Sequence, residues 1–326
     1  MKLRTVRFAL IAVLTAALFA LPQPVYANPE GEEVVVQDQI TIFAHKDAAQ
    51  NLTDGASFDE LLANSADAAE GFLSYAEEVM EAPFTEEATV YLFPDAQARL
   101  QGMMDITGIS EEQVRYHLAM RGDSPGTIAS AISPNPANPA EIQNTIWVRL
   151  DPPQGMHISE DRYVGNARRW IVHELAHLWQ FQFIIYTSSE GGPTSRSLTF
   201  SEGIAEKFAY KTLLREEMTT PETFCQESCG RTISHFYPDN FPDVQDWESS
   251  DSWNQLARES NGRIYLLMGM YFTYLHETYN PRGAAEYYQF INQGREPVQA
   301  FERAFGVAPN LQDPQFHEFI PEFLDL

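Results

Sequence analysis

Ten residues, Ile171 to Gln180, constrain this chain more than any other stretch. They read Ile-Val-His-Glu-Leu-Ala-His-Leu-Trp-Gln and contain the pattern H-E-x-x-H. Positions four apart share one face of an α-helix, so His173 and His177 point the same way, one turn apart. Two neutral imidazoles at that spacing can hold one Zn2+. Glu174 stands beside the first of them, where its carboxylate can take a proton from a water that zinc has made more acidic. The flanking residues (Trp170, Ile171, Val172, Leu175, Ala176, Leu178, Trp179, Phe181 and Phe183) are apolar on nearly every side, so the helix is expected to be central and buried. Two uncoordinated histidines and a carboxylate in that setting would each carry a desolvation cost, which a bound metal removes.

The chain opens with Met1-Lys2-Leu3-Arg4-Thr5-Val6-Arg7, an apolar run from Phe8 to Leu21, and small residues at Val25-Tyr26-Ala27. A basic start, a short apolar run and an A-x-A-like end describe a secretory signal peptide over residues 1–27. The run is short for a membrane span, and no later stretch is long and apolar enough, so no membrane insertion is expected after cleavage. About 300 residues remain, enough for a substantial core. Taking Lys2, Arg4 and Arg7 from the 21 basic residues leaves 18 against 46 acidic ones, a net charge of −28. Such a surface repels nucleic acid and anionic membranes and suits a secreted protein. The two cysteines, Cys225 and Cys229, are close in sequence, and in an exported protein they read as a local disulfide. Half of a metal site is the alternative, but the chain offers no second cysteine pair.

Residues 28–38 are polar and acidic and read as an exposed leader. Gln39 to His45 alternates as a strand. Ser57 with Glu60 forms a capping box for a helix running to about Met80. Thr89 to Phe93 is a short strand closed by Pro94, Asp95 can cap a helix through Met104, and Ser110 opens another towards Met120. Thr127–Ile132 and Asn144–Leu150 are strand candidates joined by a proline-rich loop, with the second expected at the sheet edge facing the cleft. The metal helix starts near Ser159 or near Asn166. Helices follow from Thr199 to about Leu214 and from Gly262 to Tyr279, with shorter ones over 283–292, 297–305 and 313–323. Residues 236–253 read as an ordered loop. The division is an α+β unit with a mixed sheet over 28–158 and a mainly helical unit carrying the metal over 159–326.

A catalytic zinc takes three protein ligands and leaves a fourth position for water. Glu202 opens the helix that follows the metal helix, 25 positions after His177, and two antiparallel helices would return it to the metal. Glu206 lies one turn on, placed to bond the far ring nitrogen of a ligand histidine. His173-Glu174-Leu175-Ala176-His177 followed by Ser201-Glu202-Gly203-Ile204-Ala205-Glu206 resembles the gluzincin zinc metallopeptidases, in particular the Peptidase MA-like group. The likeness covers roughly residues 145–325 and includes the helix at Gly262–Phe272 and the ending Gln299–Gly306. It departs from the group's pattern in lacking a Trp just before Glu202, where Phe200 is nearby, and in having Lys207-Phe208 with Tyr210 slightly late.

The resemblance implies a zincin-like fold, one Zn2+ per chain held by His173, His177 and Glu202, and Glu174 as general base. It also implies a hydroxyl or imidazole donor for the oxyanion, with Tyr265 first among Tyr265, His235, Tyr237, Tyr271 and His276. The expected activity is that of a secreted metallopeptidase acting on peptide or protein substrates. Two other readings are a non-catalytic secreted binding protein on the same scaffold and a zinc hydrolase of a non-peptide amide. Glu174 favours an enzyme, because a structural site needs no base.

Overall fold

The computed structural model describes residues 31–52, 54–120, 129–132, 144–151, 164–183, 197–224, 247, 250–259 and 263–323. The expected signal peptide, Cys225, Cys229, His235 and Tyr237 lie outside the described residues. The architecture is mixed α+β, with the sheet in the N-terminal half and a mostly helical remainder. Among the described residues no helix is long and apolar enough to cross a membrane.

Five strands form one sheet: β1 (Gly31–Val36), β2 (Ile40–His45), β3 (Ala88–Phe93), β4 (Ala129–Ile132) and β5 (Thr145–Arg149), in the order β1-β2-β3-β5-β4. β2, β3 and β5 run parallel, and each outer strand pairs antiparallel with its neighbour. Parallel neighbours need a crossover. Helix α1 (Phe58–Glu78) joins β2 to β3, while α2 (Ala96–Thr107) and α3 (Glu111–Met120) lie between β3 and β4 in sequence. Two expectations are corrected here. Residues 31–36 of the presumed leader are an edge strand whose side chains are mostly exposed, so its sequence lacks the apolar face of a buried strand. Asn144–Leu150 is not an edge: β5 is paired on both sides, and β4 is the outer strand.

Alternation along the strands gives the sheet two apolar faces. Ile40, Ile42, Val90, Leu92, Ile146 and Val148 pack towards α1 and the helices of the second half. Phe93 and Trp147, with Tyr91 beside them, turn the other way towards Met103, Ile106 and Val114 of α2 and α3. Tyr91 and Trp147 stack at 4.7 Å. The capping box of α1 is present, with Ser57 accepting from the Glu60 amide and Glu60 accepting from the Ser57 amide. Asp95 caps α2 through the Ala98 amide.

Helix α4 (Val164–Gln182) is the central helix and packs against α1, β4, β5 and α5 (Leu198–Arg215). Its C-terminal end is tied to the segment between α1 and β3. Trp179 Nε1 donates to the Ala82 carbonyl at 2.7 Å, and Gln182 Nε2 donates to the Pro83 carbonyl at 3.0 Å. Helix α5 begins at an N-cap, Ser197, whose hydroxyl accepts from the Phe200 amide. Helix α6 (Ser250–Glu259) falls at the end of the stretch read as a loop, whose Pro, Asp and Trp content masks a short helix. Helices α7 (Arg263–Thr278), α8 (Gly283–Asn292), α9 (Pro297–Phe305) and α10 (Pro314–Phe323) complete the chain. Phe200, two positions before Glu202, is fully buried between Trp247, Tyr287 and Phe301. Phe208 packs on Phe72, Tyr75 and Trp179.

Candidate metal centre

One stripe of α4 carries Arg169, His173, His177 and Gln180, at helical spacings of four, four and three. Opposite it, α5 presents Glu202 and Glu206, also one turn apart. The two helices bring His173, His177 and Glu202 together, with one ligand atom from each lying within 4.8 Å of the others, so this group could hold a metal ion.

The geometry is specific. Glu202 Oε2 lies 3.2 Å from His173 Nε2 and 3.6 Å from His177 Nε2. Two ligand atoms each about 2.0–2.2 Å from a tetrahedral ion stand about 3.3–3.6 Å apart. Both Nε2 atoms therefore converge on one carboxylate oxygen at the spacing that donors sharing an ion require. The side chains of the three residues are 12%, 13% and 15% exposed in the order His173, His177, Glu202, whereas Glu206 is 0% exposed. The trio keeps a little exposure, and Glu206 lies fully buried behind it.

Each histidine has a separate partner for its other ring nitrogen. His173 Nδ1 donates to Glu206 Oε2 at 3.1 Å. Arg169 holds the second oxygen of that carboxylate, donating to Oε1 from Nη2 at 2.6 Å and from Nε at 3.2 Å. His177 Nδ1 lies 3.1 Å from Gln180 Oε1, and Gln180 Nε2 donates to the Ser201 carbonyl at 2.8 Å.

The charges follow from this packing. Burial opposes a charge on His173, but hydrogen bonds to Glu202 and Glu206 and their negative charges outweigh it and raise its pKa to about 10. Burial likewise opposes ionisation of Glu202, yet the positive potential of His177 and the hydrogen bond with His173 hold its carboxyl well below the usual range. Glu206 falls to about 2, where Arg169 and His173 overcome its desolvation. Glu174 is different: burial pushes its carboxyl up, and the nearby histidines only partly offset that. In the metal-free protein a proton on His173 thus occupies a negatively charged cradle suited to a cation.

Of the suggested oxyanion donors, Tyr265 on α7 lies near the centre. Its ring is 6.2 Å from that of His173 and 4.9 Å from Trp253, whose indole bonds its hydroxyl. Burial first, and the Glu202 charge next, keep that hydroxyl protonated by raising its pKa. Tyr271 and His276 are engaged elsewhere: the Tyr271 hydroxyl accepts from the Asn310 amide, and His276 Nδ1 lies 2.9 Å from Lys207 Nζ. Gly203 serves the contact of α5 with α7. An added Cβ there would meet Phe272 and Met268 of α7 at 2.7–2.9 Å.

Arg169 and Gln180 were not singled out from the sequence. The signal was their spacing, four before His173 and three after His177, which places both polar residues on the ligand stripe of an otherwise apolar helix. Compared with known proteins, the chain matches no family model and no curated protein.

Proposed function

We propose that this chain is a zinc-dependent metallopeptidase with a zincin-like fold, of the gluzincin kind. The observation that carries the reading is the convergence of two imidazole nitrogens on one Glu202 oxygen at 3.2 and 3.6 Å. Two histidines and one carboxylate form a three-donor set, the number a catalytic zinc takes so that a fourth position stays for water. A zinc ion held there would supply a polarised carbonyl and a more acidic water.

The remaining roles fall to the chain itself. Glu174, on the same helix and buried beside the trio, is the general base that accepts a proton from water and returns it to the leaving amine. Its raised pKa brings proton uptake and release closer to neutrality. Tyr265, whose ring lies 6.2 Å from that of His173, keeps a neutral hydroxyl, as a donor to developing negative charge must. An extended peptide would pair with the outer strand β4, which lies against α4 and, among the described strands, pairs only with β5. Export directed by residues 1–27 and a Cys225–Cys229 disulfide belong to the same reading.

The test is cleavage of a peptide library by purified, zinc-loaded protein, with and without a chelator. The reading expects cleavage that the chelator abolishes and zinc restores. Zinc-loaded protein that cleaves no peptide would leave the scaffold without the proposed activity.

A further inference from the structure

Gln180 is fully buried, and both ends of its carboxamide are occupied. The Ser201 carbonyl can only accept, so the NH2 end of the amide must face it at 2.8 Å. That fixes the oxygen end towards His177, where Oε1 lies 3.1 Å from Nδ1. An amide oxygen can only accept, so His177 must carry its hydrogen on Nδ1. In the neutral imidazole, Nε2 is then left with the lone pair, on the side that faces Glu202.

We infer that Gln180 is a positioning residue of the metal centre, locking His177 in the ligand tautomer and strapping it to the residue before Glu202. The inference rests on His177 and Glu202 being metal ligands. Its second half follows from connectivity. Ser201 is the immediate neighbour of Glu202, so one buried side chain ties a donor on α4 to the segment of α5 that carries another. The two histidines are therefore held differently. His173 leans on an anion, Glu206, whose two oxygens can only accept, whereas His177 leans on a neutral amide that could bond through either end and whose orientation is dictated from behind.

This makes glutamine the residue the position requires. Glutamate could accept from His177 but would set a carboxylate oxygen against the Ser201 carbonyl. Leucine would fill much of the same space and provide neither bond. Both variants should fold and both should fail at the centre.

Two measurements test this. The first is the nitrogen-15 shift of the His177 ring in zinc-free wild-type protein above pH 8, which should report a protonated Nδ1 and an unprotonated Nε2. In Q180L the signal should move towards the other tautomer. The second is zinc affinity by competition with a chromogenic chelator, where Q180L and Q180E should each lose about 10–100-fold, as loss of a ligand's hydrogen-bond partner does. A merely structural role would lower melting temperature without moving the tautomer. An Nε2-protonated His177 in the wild type, or wild-type zinc affinity in Q180L, overturns the inference and leaves the metal reading intact. Full affinity in Q180E overturns the requirement for an amide. Wild-type protein that takes up no zinc overturns the metal reading and this inference with it.

Discussion

Glu206 lies completely buried beneath His173, with Oε2 3.1 Å from Nδ1, while Arg169 grips its other oxygen. The carboxylate thus orients His173 and is itself neutralised by a residue one turn back on the histidine's own helix. Glu206→Gln should keep the fold and lower zinc affinity roughly 10–100-fold. Arg169→Met should act mainly on stability, because it leaves a buried carboxylate without its cation, at roughly 3–5 kcal/mol. Urea melts and chelator competition on both variants separate the two effects. Equal losses of affinity without loss of stability would mean that Arg169 serves some other purpose.

Glu174 is a buried carboxyl whose pKa is raised by burial, and it stands beside the three candidate ligands without belonging to the group. Glu174→Gln should bind zinc about as tightly as wild type and lose most peptide hydrolysis, at least a hundredfold on the scale of general-base effects. Turnover by the zinc-loaded variant is the readout. Wild-type rates would remove Glu174 from the mechanism.

Gly203 and Gly71 offer a contrast in packing. A Cβ at Gly203 would press on Phe272 and on the Cβ of Met268, which belongs to the stiff part of α7. A Cβ at Gly71 would meet Glu216 Cγ at 2.7 Å, on an exposed side chain that can swing away, and the buried Thr212 Cγ2 at 3.2 Å, a contact that needs a shift of only a few tenths of an ångström. Alanine gains up to about 1 kcal/mol over glycine within a helix. Gly71→Ala should therefore be near neutral, and Gly203→Ala should cost about 1–3 kcal/mol as an overpacked contact. Denaturant midpoints for the pair decide it, and equal stabilities would show that α7 yields easily.

Much of this arrangement was legible in the sequence, and the gaps have physical reasons. H-E-x-x-H set the ligand face because helical spacing is local, and Ser57 with Glu60 marked a helix start because a capping box needs only four residues. Residues 31–36 escaped notice because an edge strand with exposed Glu32 and Glu33 has no buried face to show. The inner place of β5 escaped because strand order is set by crossovers, not by the strand's own residues. Gln180 sits on the ligand stripe by its spacing, but its contact with Ser201, 21 positions away, is tertiary and has no local signal.

Lys207 is buried next to the site but not part of it, with its amine 2.9 Å from His276 Nδ1 and 3.2 Å from Met80 Sδ; Lys211 and Glu277 are the charges nearby. Burial lowers its pKa to about 7. Between that value and the unfolded value near 10.5 the unfolded chain binds the extra proton, so stability rises with pH across this window, by at most about 1.4 kcal/mol per unit. Below pH 7 the penalty is present in full. Burial also lowers His276, to about 3, so this imidazole adds a loss of stability as pH falls through its unfolded value of 6.5. Lys207→Met should stabilise the protein at pH 7 and flatten the rise between pH 7 and 10. Urea melts at pH 7 and 9 test both statements; an unchanged pH dependence would contradict the burial argument.

The most direct test is zinc binding itself, measured by titrating metal-free protein against a chromogenic chelator. Wild-type protein should bind one zinc per chain tightly, and His173→Ala and Glu202→Gln should each lose tight binding while retaining wild-type circular dichroism. Glu202→Gln is the sharper variant, because a neutral amide replaces the oxygen on which both imidazoles converge. Wild-type protein that binds no zinc, or Glu202→Gln protein that binds it as tightly as wild type, would contradict the account.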